Sequence, residues 1–346
     1  MRTEILAATL DRRSWHRHPA DPSGLQAPAT TAAVELLRKC EVVALPTETV
    51  YGLAADALKP IAVAKIFEAK ERPRFDPLIV HLPDEQWLER VATVDDRSRA
   101  QIKKLIGQFW PGPLTLVLAR KRIVPEIVTA GLETVAVRMS SHPVFAEIIS
   151  AFRKPVAAPS ANRFGRISPT TAQHVFDELS GRIPQIIDAG PTAHGIESTI
   201  IAVLGNRIDI LRRGPITAEQ LSEFGTIHIA AGGGKISAPG QLPTHYAPKT
   251  PLRLIDNAKT FTPKEKQRVG LLAWNAFTAE EGRFAAVRTL SDHQNLREGA
   301  TNLFRCLREL DSREDLDLIV AERVPAQGLG AAILDRLERA SHDSDN

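Results

Sequence analysis

Apolar and polar positions along the chain alternate between the spacing of helices and that of strands. Around residues 30–39, Val34 and Leu37 fall on one helical face and Glu35 lies one turn before Lys39, which predicts an amphipathic helix. Residues 42–46 follow as a short, fully apolar run, typical of a buried strand. Similar patterns predict strands at 78–82, 114–119, 135–139, 156–158, 186–188, 199–204 and 208–211, and helices at 61–69, 84–91, 98–109, 170–179 and 217–224. The pattern therefore predicts a mixed α/β domain with a twisted sheet and flanking helices.

The character of the sequence changes between residues 230 and 251. Three consecutive glycines and four prolines there indicate a loop or linker. Beyond it, strand patterns at 251–256, 269–274 and 317–324 alternate with helical patterns at 296–310 and 329–340, which predicts a small Rossmann-like α/β domain. We therefore predict three parts: a catalytic domain at 1–225, a linker at 226–250 and a small α/β domain at 251–346.

Length and composition fit a folded protein of two domains. The chain has 346 residues, of which 43% are hydrophobic and 25% charged, close to the globular average. No apolar run reaches the roughly 18–20 residues of a membrane-spanning helix, and Asp11, Arg12 and Arg13 stand where a secretion signal would be apolar. Two distant cysteines, Cys40 and Cys306, cannot build a disulfide framework. We expect a cytoplasmic protein with no membrane association.

Charge and ligand spacing exclude two further classes of site. The 44 basic and 41 acidic residues give a net charge of +3, and the Lys and Arg are spread rather than clustered as in a nucleic-acid footprint. The His, Asp and Glu residues lack the spacing of metal ligands, so we expect no tightly held metal.

The segment PTETVYGL places small hydroxyl side chains directly after the first apolar strand. Thr47 and Thr49 flank Glu48, and Tyr51 and Gly52 follow. In open α/β sheets ligands bind beyond such strand ends, so this segment is a candidate ligand loop. A plain turn with capping threonines is the alternative.

Two cations lie close together further along. Lys70 and Arg72 precede Pro73, which disfavours helical geometry at Arg72. Both charges can therefore point at one polyanion, and the Arg fork with the compact Lys charge suits phosphate. A solvated charged loop is the alternative, and His81, which ends the next strand, is equally compatible with an ordinary core or edge position.

Later segments add a buried cation and further polar strand ends. Arg138 lies on an otherwise apolar strand, so its charge needs either a carboxylate ligand or an internal Asp or Glu. Ser160 and Asn162 follow a short apolar run, and Ser168 precedes a predicted helix start, an arrangement that suits phosphate or ribose. The chain has no P-loop, GxGxxG or GxSxG motif, so none of those nucleotide or hydrolase sites is indicated.

Taken in order, these segments resemble one enzyme family. They read PTETVYGL, KERP with PLIVH, PGPLT, VAVRM, APSAN, GIEST and LRRG, followed by APGQLPTHYAP. This series resembles the YrdC-like threonylcarbamoyl-AMP synthases, in their long form with a trailing α/β domain, over about residues 30–345. An ordered set of motifs is far more specific than any single member of it.

The resemblance implies a YrdC-like fold and a defined reaction. L-threonine, bicarbonate and ATP, the last accompanied by Mg²⁺, are expected to form L-threonylcarbamoyladenylate and pyrophosphate. The product is then expected to pass to a separate transferase complex, which makes N6-threonylcarbamoyladenosine in tRNAs that read ANN codons. No covalent nucleophile is needed, so the expected contribution of the protein is positioning and electrostatics.

The family's functional residues carry over onto matching positions. The implied threonine site comprises Thr49, His81, Arg138, the backbone of Ala158, and Ser198. The implied ATP site comprises Lys70, Arg72, Asp76, Thr134, Ser160, Asn162, Ser168, Arg212, His245 and Tyr246, with Lys70 and Arg72 as the catalytic cations.

The chain departs from the family pattern within two of these motifs. Glu71 replaces a common glycine, Asp76 stands where asparagine is usual, and Ser140 replaces proline. An Asp beside phosphates would repel them unless it binds Mg²⁺ or faces away, so the role of Asp76 is left open.

Two other functions are weighed against this one. A double-stranded-RNA-binding module of the same fold would show salt-sensitive RNA affinity without nucleotide turnover, and weak RNA binding is kept as a prediction. Carbamoyl-adenylate chemistry on another acceptor, as in hydrogenase maturation, would require acylphosphatase and zinc-finger-like segments, which the sequence does not contain.

The linker suggests a conformational role. A proline-braced segment that ends in His245 and Tyr246 is expected to fold over the nucleotide as a lid and to shield a hydrolysis-prone adenylate from water. A simple tether between domains is the alternative.

Overall fold

The structure is a computed structural model and describes residues 1–8, 28–230, 239, 245–276 and 283–341. Its strands are β1 (Glu4–Ala7), β2 (Val43–Leu45), β3 (Gly52–Asp56), β4 (Ile79–His81), β5 (Ala92–Thr93), β6 (Leu114–Arg120), β7 (Thr134–Arg138), β8 (Val156–Ala157), β9 (Gln185–Asp188), β10 (Thr199–Leu204), β11 (Arg207–Arg212), β12 (Thr226–Ile229), β13 (Leu252–Ile255), β14 (Val269–Ala273), β15 (Ala286–Thr289) and β16 (Leu318–Glu322). Its helices are α1 (Pro28–Arg38), α2 (Pro60–Lys70), α3 (Leu88–Val91), α4 (Asp96–Phe109), α5 (Glu126–Thr129), α6 (Pro143–Phe152), α7 (Ala172–Leu179), α8 (Ala218–Ser222), α9 (Leu296–Asp311) and α10 (Leu329–Ser341).

Within the described residues, twelve strands form one mixed sheet. Their order is β1-β9-β2-β3-β8-β4-β7-β6-β10-β11-β12. The remaining strand, β5, pairs with the C-terminal end of β6. Strands β4 and β7 are parallel, whereas β8 is antiparallel to β4 and β6 is antiparallel to β7. The predicted fold class, a twisted mixed sheet with flanking helices, is confirmed.

The predicted elements recur with their ends shifted by one or two residues in most cases. Five strands and two helices were not predicted, namely β1, β3, β5, β12, β15, α5 and α6. The sequence of β3 is GLAAD, and glycine and alanine carry little strand propensity. It becomes a strand because β2 and β8 pair with its two edges. Helix α6 begins with Pro143 in its first turn and packs its apolar face against α1, in a cluster that includes Leu37 and Phe145.

The C-terminal part forms a second, smaller sheet. Strands β13, β16, β14 and β15 are all parallel in that order, as expected for a Rossmann-like unit. Helix α9 connects β15 to β16 and packs on β14 and β15, and α10 follows β16 and packs on β13. The first sheet ends with β12, inside the segment predicted as linker, and residues 231–238 and 240–244 of that segment lie outside the described residues.

One apolar cluster contains side chains of both domains, the one built on the first sheet and the one built on the second. It combines Val50, Ile167 and Ile196 of the first domain with Tyr246 and with side chains of α9 and α10 such as Phe304. The contact is close enough that a Cβ on Gly195 would lie 2.5 Å from backbone atoms of α9. The second domain is therefore packed directly against the loops that follow β2 and β8 and the loop that precedes β10. No helix among the described residues has the length and apolar character that a bilayer crossing requires.

Candidate functional site

The register of the central strands brings four polar side chains into a row. His81 pairs with Arg138 across β4 and β7, and Arg138 pairs with Thr115 across β7 and β6. Thr115 lies beside the start of β10, which Ser198 precedes. Residues far apart in sequence thus meet at one end of the sheet, as the strand-end argument predicts.

A cavity opens at this end of the sheet. It is lined by Thr47, Thr49, Val50, Gly52, Arg72, Ile79, His81, Arg138, Ala158, Pro159, Ser160, Glu197, Ser198, Arg212, Pro239, His245 and Tyr246. All five residues predicted for the threonine site line it, as do five of those predicted for the ATP site: Arg72, Ser160, Arg212, His245 and Tyr246.

The loop after β2 is held by its own threonines. The Thr47 hydroxyl donates to the Val50 carbonyl at 2.6 Å and accepts from the backbone N–H groups of Thr49 and Val50, each at 3.2 Å. Its Oγ1 also lies 2.9 Å from the Thr49 hydroxyl. Because Thr47 satisfies the backbone of this turn, the Thr49 hydroxyl is fixed in position at the cavity wall.

Arg138 obtains its counter-charge from inside the protein. Its Nη2 lies 2.6 Å from Glu48 Oε1, its Nη1 donates to the Thr49 hydroxyl at 3.1 Å, and its Nε donates to the Gly112 carbonyl at 3.2 Å. The sequence left open a ligand carboxylate or an internal acid, and the structure supplies the internal acid. The Nη2–Oε1 contact is a close ion pair between two buried side chains.

Glu48 stays ionised although it is buried. Burial alone would raise its pKa, but the Arg138 charge and a hydrogen bond donated by the Ser140 hydroxyl lower the pKa to about 2. Ser140, which stands where the family usually has proline, therefore has a specific partner. Glu48 does not line the cavity, so it acts on the site through Arg138.

His81 presents a neutral ring to the cavity. Burial, reinforced by the nearby Arg138 charge, lowers its pKa to about 3 in spite of Glu48 and a hydrogen bond to the Ala158 backbone. The ring packs against Phe145 with centroids 4.9 Å apart, and Nδ1 has no hydrogen-bond partner among the described residues. The ring can therefore accept or donate a hydrogen bond to a ligand but does not carry charge at neutral pH.

Ser198 links the end of β11 to the central sheet. Its hydroxyl lies 2.8 Å from that of Thr115 and accepts from Arg212 Nη2 at 3.0 Å, while Arg212 Nε donates to the Ser198 carbonyl at 3.1 Å. Among the described residues Arg212 has no directly paired carboxylate. Its charge is thus available to an anion in the cavity.

Asp76 is the counter-ion of Arg72. Arg72 Nη2 lies 2.8 Å from Asp76 Oδ2, and the guanidinium also donates to the backbone carbonyls of Asp76 and Pro77. Both side chains are almost fully buried. The carboxylate therefore faces Arg72 rather than the cavity, which answers the question that the sequence left open; Asp76 itself does not line the cavity.

Lys70 lies behind the cavity wall. At the C-terminal end of α2 its ammonium donates to the backbone carbonyls of Ser160, at 2.6 Å, and Asn162. Burial, with Arg72 nearby, puts its pKa well below the ordinary value, although Asp76 and Glu178 act in the opposite direction. Lys70 therefore stabilises the APSAN loop (residues 158–162) directly, in addition to any role in phosphate binding.

Three other residues predicted for the ATP site do not line the cavity. Asn162 donates from Nδ2 to the carbonyls of Arg163 and Arg166, at 2.7 and 2.9 Å, and closes the loop before α7. The Ser168 hydroxyl donates to Glu197 Oε1. Thr134 begins β7, at the opposite end of the strand from Arg138, so the structure does not bring it to the site.

The end of the linker closes the cavity on its outer side. Tyr246 has a positive φ of 67° and is buried, stacked on Phe304 of α9 with centroids 5.4 Å apart. His245 packs edge-on against Tyr246 and against Phe164, and burial among Arg72, Lys70 and Arg212 puts its pKa well below the ordinary value. Three residues of the segment predicted to cover the nucleotide therefore line the cavity: Pro239, His245 and Tyr246.

Two functional candidates were not assigned a role from sequence. Glu197 lines the cavity, and its place in the GIEST motif was the available signal. Arg336 of α10 pairs with Glu197 at 3.2 Å from the other domain. No sequence signal marks Arg336, because its role depends on how the domains pack.

The donor set does not fit a resident metal ion. No group of three or more His, Cys, Asp or Glu suited to a metal occurs among the described residues. The nearby carboxylates of Glu48, Asp76 and Glu197 each face an arginine. A magnesium ion at this cavity would have to be held mainly by the ligand's own oxygens.

Comparison with known proteins agrees with this geometry. A family model described as telomere recombination, which covers Sua5, YciO and YrdC, matches residues 35–214, and one described as the C-terminal domain of threonylcarbamoyl-AMP synthase matches residues 216–342. The threonylcarbamoyl-AMP synthase of Bacillus subtilis is 41% identical over 95% of this chain and 97% of its own length, and that of Pyrococcus abyssi is 39% identical over 89% and 93%.

A solved structure extends the match to three dimensions. The crystal structure of P. abyssi Sua5 complexed with L-threonine superposes with a TM-score of 0.84 at 34% identity, over 99% of this chain and 98% of the other. These descriptions name a synthase and give no support to the RNA-binding alternative. The chain belongs to the threonylcarbamoyl-AMP synthase family, in the form that carries both the Sua5/YrdC domain and the family's C-terminal domain.

Proposed function

We propose that this protein joins L-threonine, bicarbonate and ATP into L-threonylcarbamoyl-AMP and releases pyrophosphate. The observation that carries the proposal is one cavity lined by polar side chains at the ends of β4 and β7, by three buried arginines and by the aromatic pair His245 and Tyr246. The threonine amine attacks the carbon of bicarbonate or CO₂, and the carbamate oxygen then attacks the α-phosphorus. In the first step the N–C bond forms and the amine gives up a proton, while a C=O π bond of CO₂ opens or, with bicarbonate, the C–OH bond breaks and its oxygen leaves as water. In the second step the O–P bond forms, and pyrophosphate leaves with the electrons of the broken phosphoanhydride bond.

Threonine fits the half of the cavity at the ends of β4 and β7. Arg138, Thr49 and Ser198 offer donors to its carboxylate, and His81 with its free Nδ1 offers a neutral partner for a hydroxyl or amine. The backbone of Ala158, held by β8 beside His81, completes this half. Rigid strands position these groups, so little ordering is left for the moment of binding.

The triphosphate fits the half formed by Arg72, Arg212 and Ser160. Arg212 has no paired carboxylate among the described residues. Arg72 is paired with Asp76, whose negative charge balances that of the guanidinium. These cations, with Lys70 behind them, stabilise negative charge as it builds on the leaving pyrophosphate. Catalysis then rests on positioning and electrostatics, without a covalent intermediate on the protein.

Mg²⁺, the onward transfer of the product and the cellular location are parts of the same proposal. Mg²⁺ enters as the MgATP complex, in keeping with a site that offers it no cluster of protein ligands. The product passes to a separate transferase complex that modifies tRNA, and any RNA contact of this chain is weak. A cytoplasmic location is supported by the two free cysteines, Cys40 and Cys306.

The test is a threonine-dependence assay on the purified protein. With threonine, bicarbonate and MgATP we expect pyrophosphate and a product with the mass of threonylcarbamoyl-AMP, and no pyrophosphate when threonine is omitted. Arg72→Gln should reduce turnover by at least about a hundredfold, since a buried phosphate-binding cation is lost. Arg74→Gln, an exposed arginine two positions away, is the matched control and should retain activity. Pyrophosphate release that ignores threonine would contradict the proposal.

A further inference from the structure

The charge of one cavity residue is controlled from the other domain. Glu197 is the one acidic side chain among the described residues that line the cavity. We propose that Arg336 of α10 is a positioning residue for nucleotide binding, because it neutralises Glu197 and so removes a negative charge that would otherwise face the triphosphate. This inference rests on the proposed function and gives the C-terminal domain a defined part in it.

Arg336 is buried and makes several specific contacts with residues outside its own domain. Its side chain is fully buried, its Nε donates to Glu197 Oε2 at 3.2 Å, and its Nη1 donates to the Arg213 carbonyl at 2.6 Å and to Asp335 at 2.9 Å. The guanidinium carbon lies 5.5 Å from the centre of the Tyr246 ring. One side chain of the second domain therefore touches the GIEST loop, the end of β11 and the closing aromatic segment together.

Glu197 is held from both sides. Its Oε1 accepts from the Ser168 hydroxyl and its Oε2 from Arg336, while the next residue, Ser198, binds Arg212. Burial alone would lower the pKa of Arg336, but Tyr246, Glu197 and Asp335 raise it above its ordinary value. Arg336 therefore remains charged and keeps the GIEST loop against α10.

The balance of charge shows why this pairing matters for ATP. Three arginine–carboxylate pairs surround the cavity in the described residues: Arg72 with Asp76, Arg138 with Glu48, and Arg336 with Glu197. Among the described residues, neither Arg212 nor the Lys70 amine has a directly bonded carboxylate. Removing Arg336 takes away the cation that is directly bonded to Glu197. In this buried setting the carboxylate then acts strongly on a polyphosphate and weakly on zwitterionic threonine.

The test compares the KM values of both substrates in three variants of the full chain. In Arg336→Gln we expect KM for ATP to rise at least about tenfold, with KM for threonine changed less than about threefold. Glu197→Gln should not raise KM for ATP, because it removes the repelling charge, and its amide oxygen can still accept from Ser168. Glu197→Gln/Arg336→Gln should recover most of the affinity for ATP that the single Arg336 variant loses. An Arg336→Lys variant, which keeps the charge, should lie close to the parent protein.

The outcomes separate this inference from the proposed function. A parent protein without threonine-dependent pyrophosphate release defeats the proposed function itself. An active parent, combined with equal effects of Arg336→Gln on both KM values or with no recovery in the double variant, overturns the role of Arg336 alone. If Arg336→Gln does not fold, the Glu197→Gln and double variants decide: weaker ATP binding in Glu197→Gln overturns the inference, and parent-like ATP binding in both supports it.

Discussion

At the scale of single residues, the site is organised by arginines that face internal carboxylates. The apolar surroundings of Arg138 in the sequence showed that its charge must be paired, and the structure identifies Glu48 as the partner. Asp76 fills the same role for Arg72. Breaking a buried pair of this kind is strongly destabilising, because the remaining charge has no water to solvate it.

The Glu48 carboxylate gives the first prediction, a pH-dependent contribution to stability. Its pKa is about 2 in the folded chain against an ordinary 4.5, so its stabilising effect is full above pH 4.5 and is lost as the pH falls toward 2. Glu48→Gln should therefore lower the free energy of unfolding by about 3 kcal/mol at pH 7 and by only about 1 kcal/mol at pH 3. Urea unfolding at both pH values measures the difference.

The control for this prediction is Glu314→Gln, which changes an exposed glutamate and should leave the unfolding free energy nearly unchanged at either pH. A Glu48 effect of the same size at pH 3 as at pH 7 would contradict a carboxylate that stays ionised through its pairing with Arg138.

At the scale of elements, strand register and one helix end build the cavity wall. The pairing of β4 with β7 sets His81 beside Arg138, and the C-terminal end of α2 presents Lys70 to the APSAN loop. The strands and most helices were predictable because each buries one face with a regular period. The short strand β3 was not, because its glycine and alanines form a strand only between two neighbours.

Lys70 supplies the second prediction. Lys70→Met keeps the length and the apolar stem but leaves the Ser160 and Asn162 carbonyls without the donor that Lys70 Nζ provides. We expect the free energy of unfolding to fall by about 2 kcal/mol even without nucleotide, together with a loss of turnover. Lys59→Met, at the exposed residue that precedes the same helix, should change neither quantity. A loss of turnover with unchanged stability would assign Lys70 to phosphate binding alone.

At the scale of the whole molecule, the second domain is part of the active site's surroundings. It stacks Phe304 under Tyr246, sets Arg336 against Glu197, and shares an apolar cluster with the first domain. The predicted covering role of the linker stays a prediction, since most of residues 231–244 lie outside the described residues. What the described residues establish is that the cavity is lined by the first domain and by the linker residues Pro239, His245 and Tyr246, and that Tyr246 in turn contacts the second domain.

Gly195 gives the third prediction, which concerns the contact between domains. Gly195 and Gly190 both have positive φ values, 69° and 81°, so alanine is strained at either position by about 1 kcal/mol. Only at Gly195 would the added Cβ meet backbone atoms of α9, at 2.5 Å, whereas nothing lies within 4 Å at Gly190. Gly195→Ala should therefore destabilise the protein by about 1–3 kcal/mol more than Gly190→Ala and raise KM for ATP.

Thermal unfolding and steady-state kinetics of the two glycine variants measure both effects. Since the backbone strain is common to both variants, the difference between Gly195→Ala and Gly190→Ala reports the displacement of α9 from the first domain. Equal behaviour of the two variants would show that the domain contact does not influence nucleotide binding.

The sequence by itself determined the family, the alternation of helices and strands, and the residues whose chemistry suits threonine and phosphate. These properties follow from local periodicity and from motifs, which a single chain displays directly. Only the tertiary structure decided which charges face one another: Glu48 with Arg138, Asp76 with Arg72, and Glu197 with Arg336. Such pairs depend on strand register and on the packing of two domains, and the energy of a buried charge is set by the atoms that surround it rather than by its neighbours in sequence.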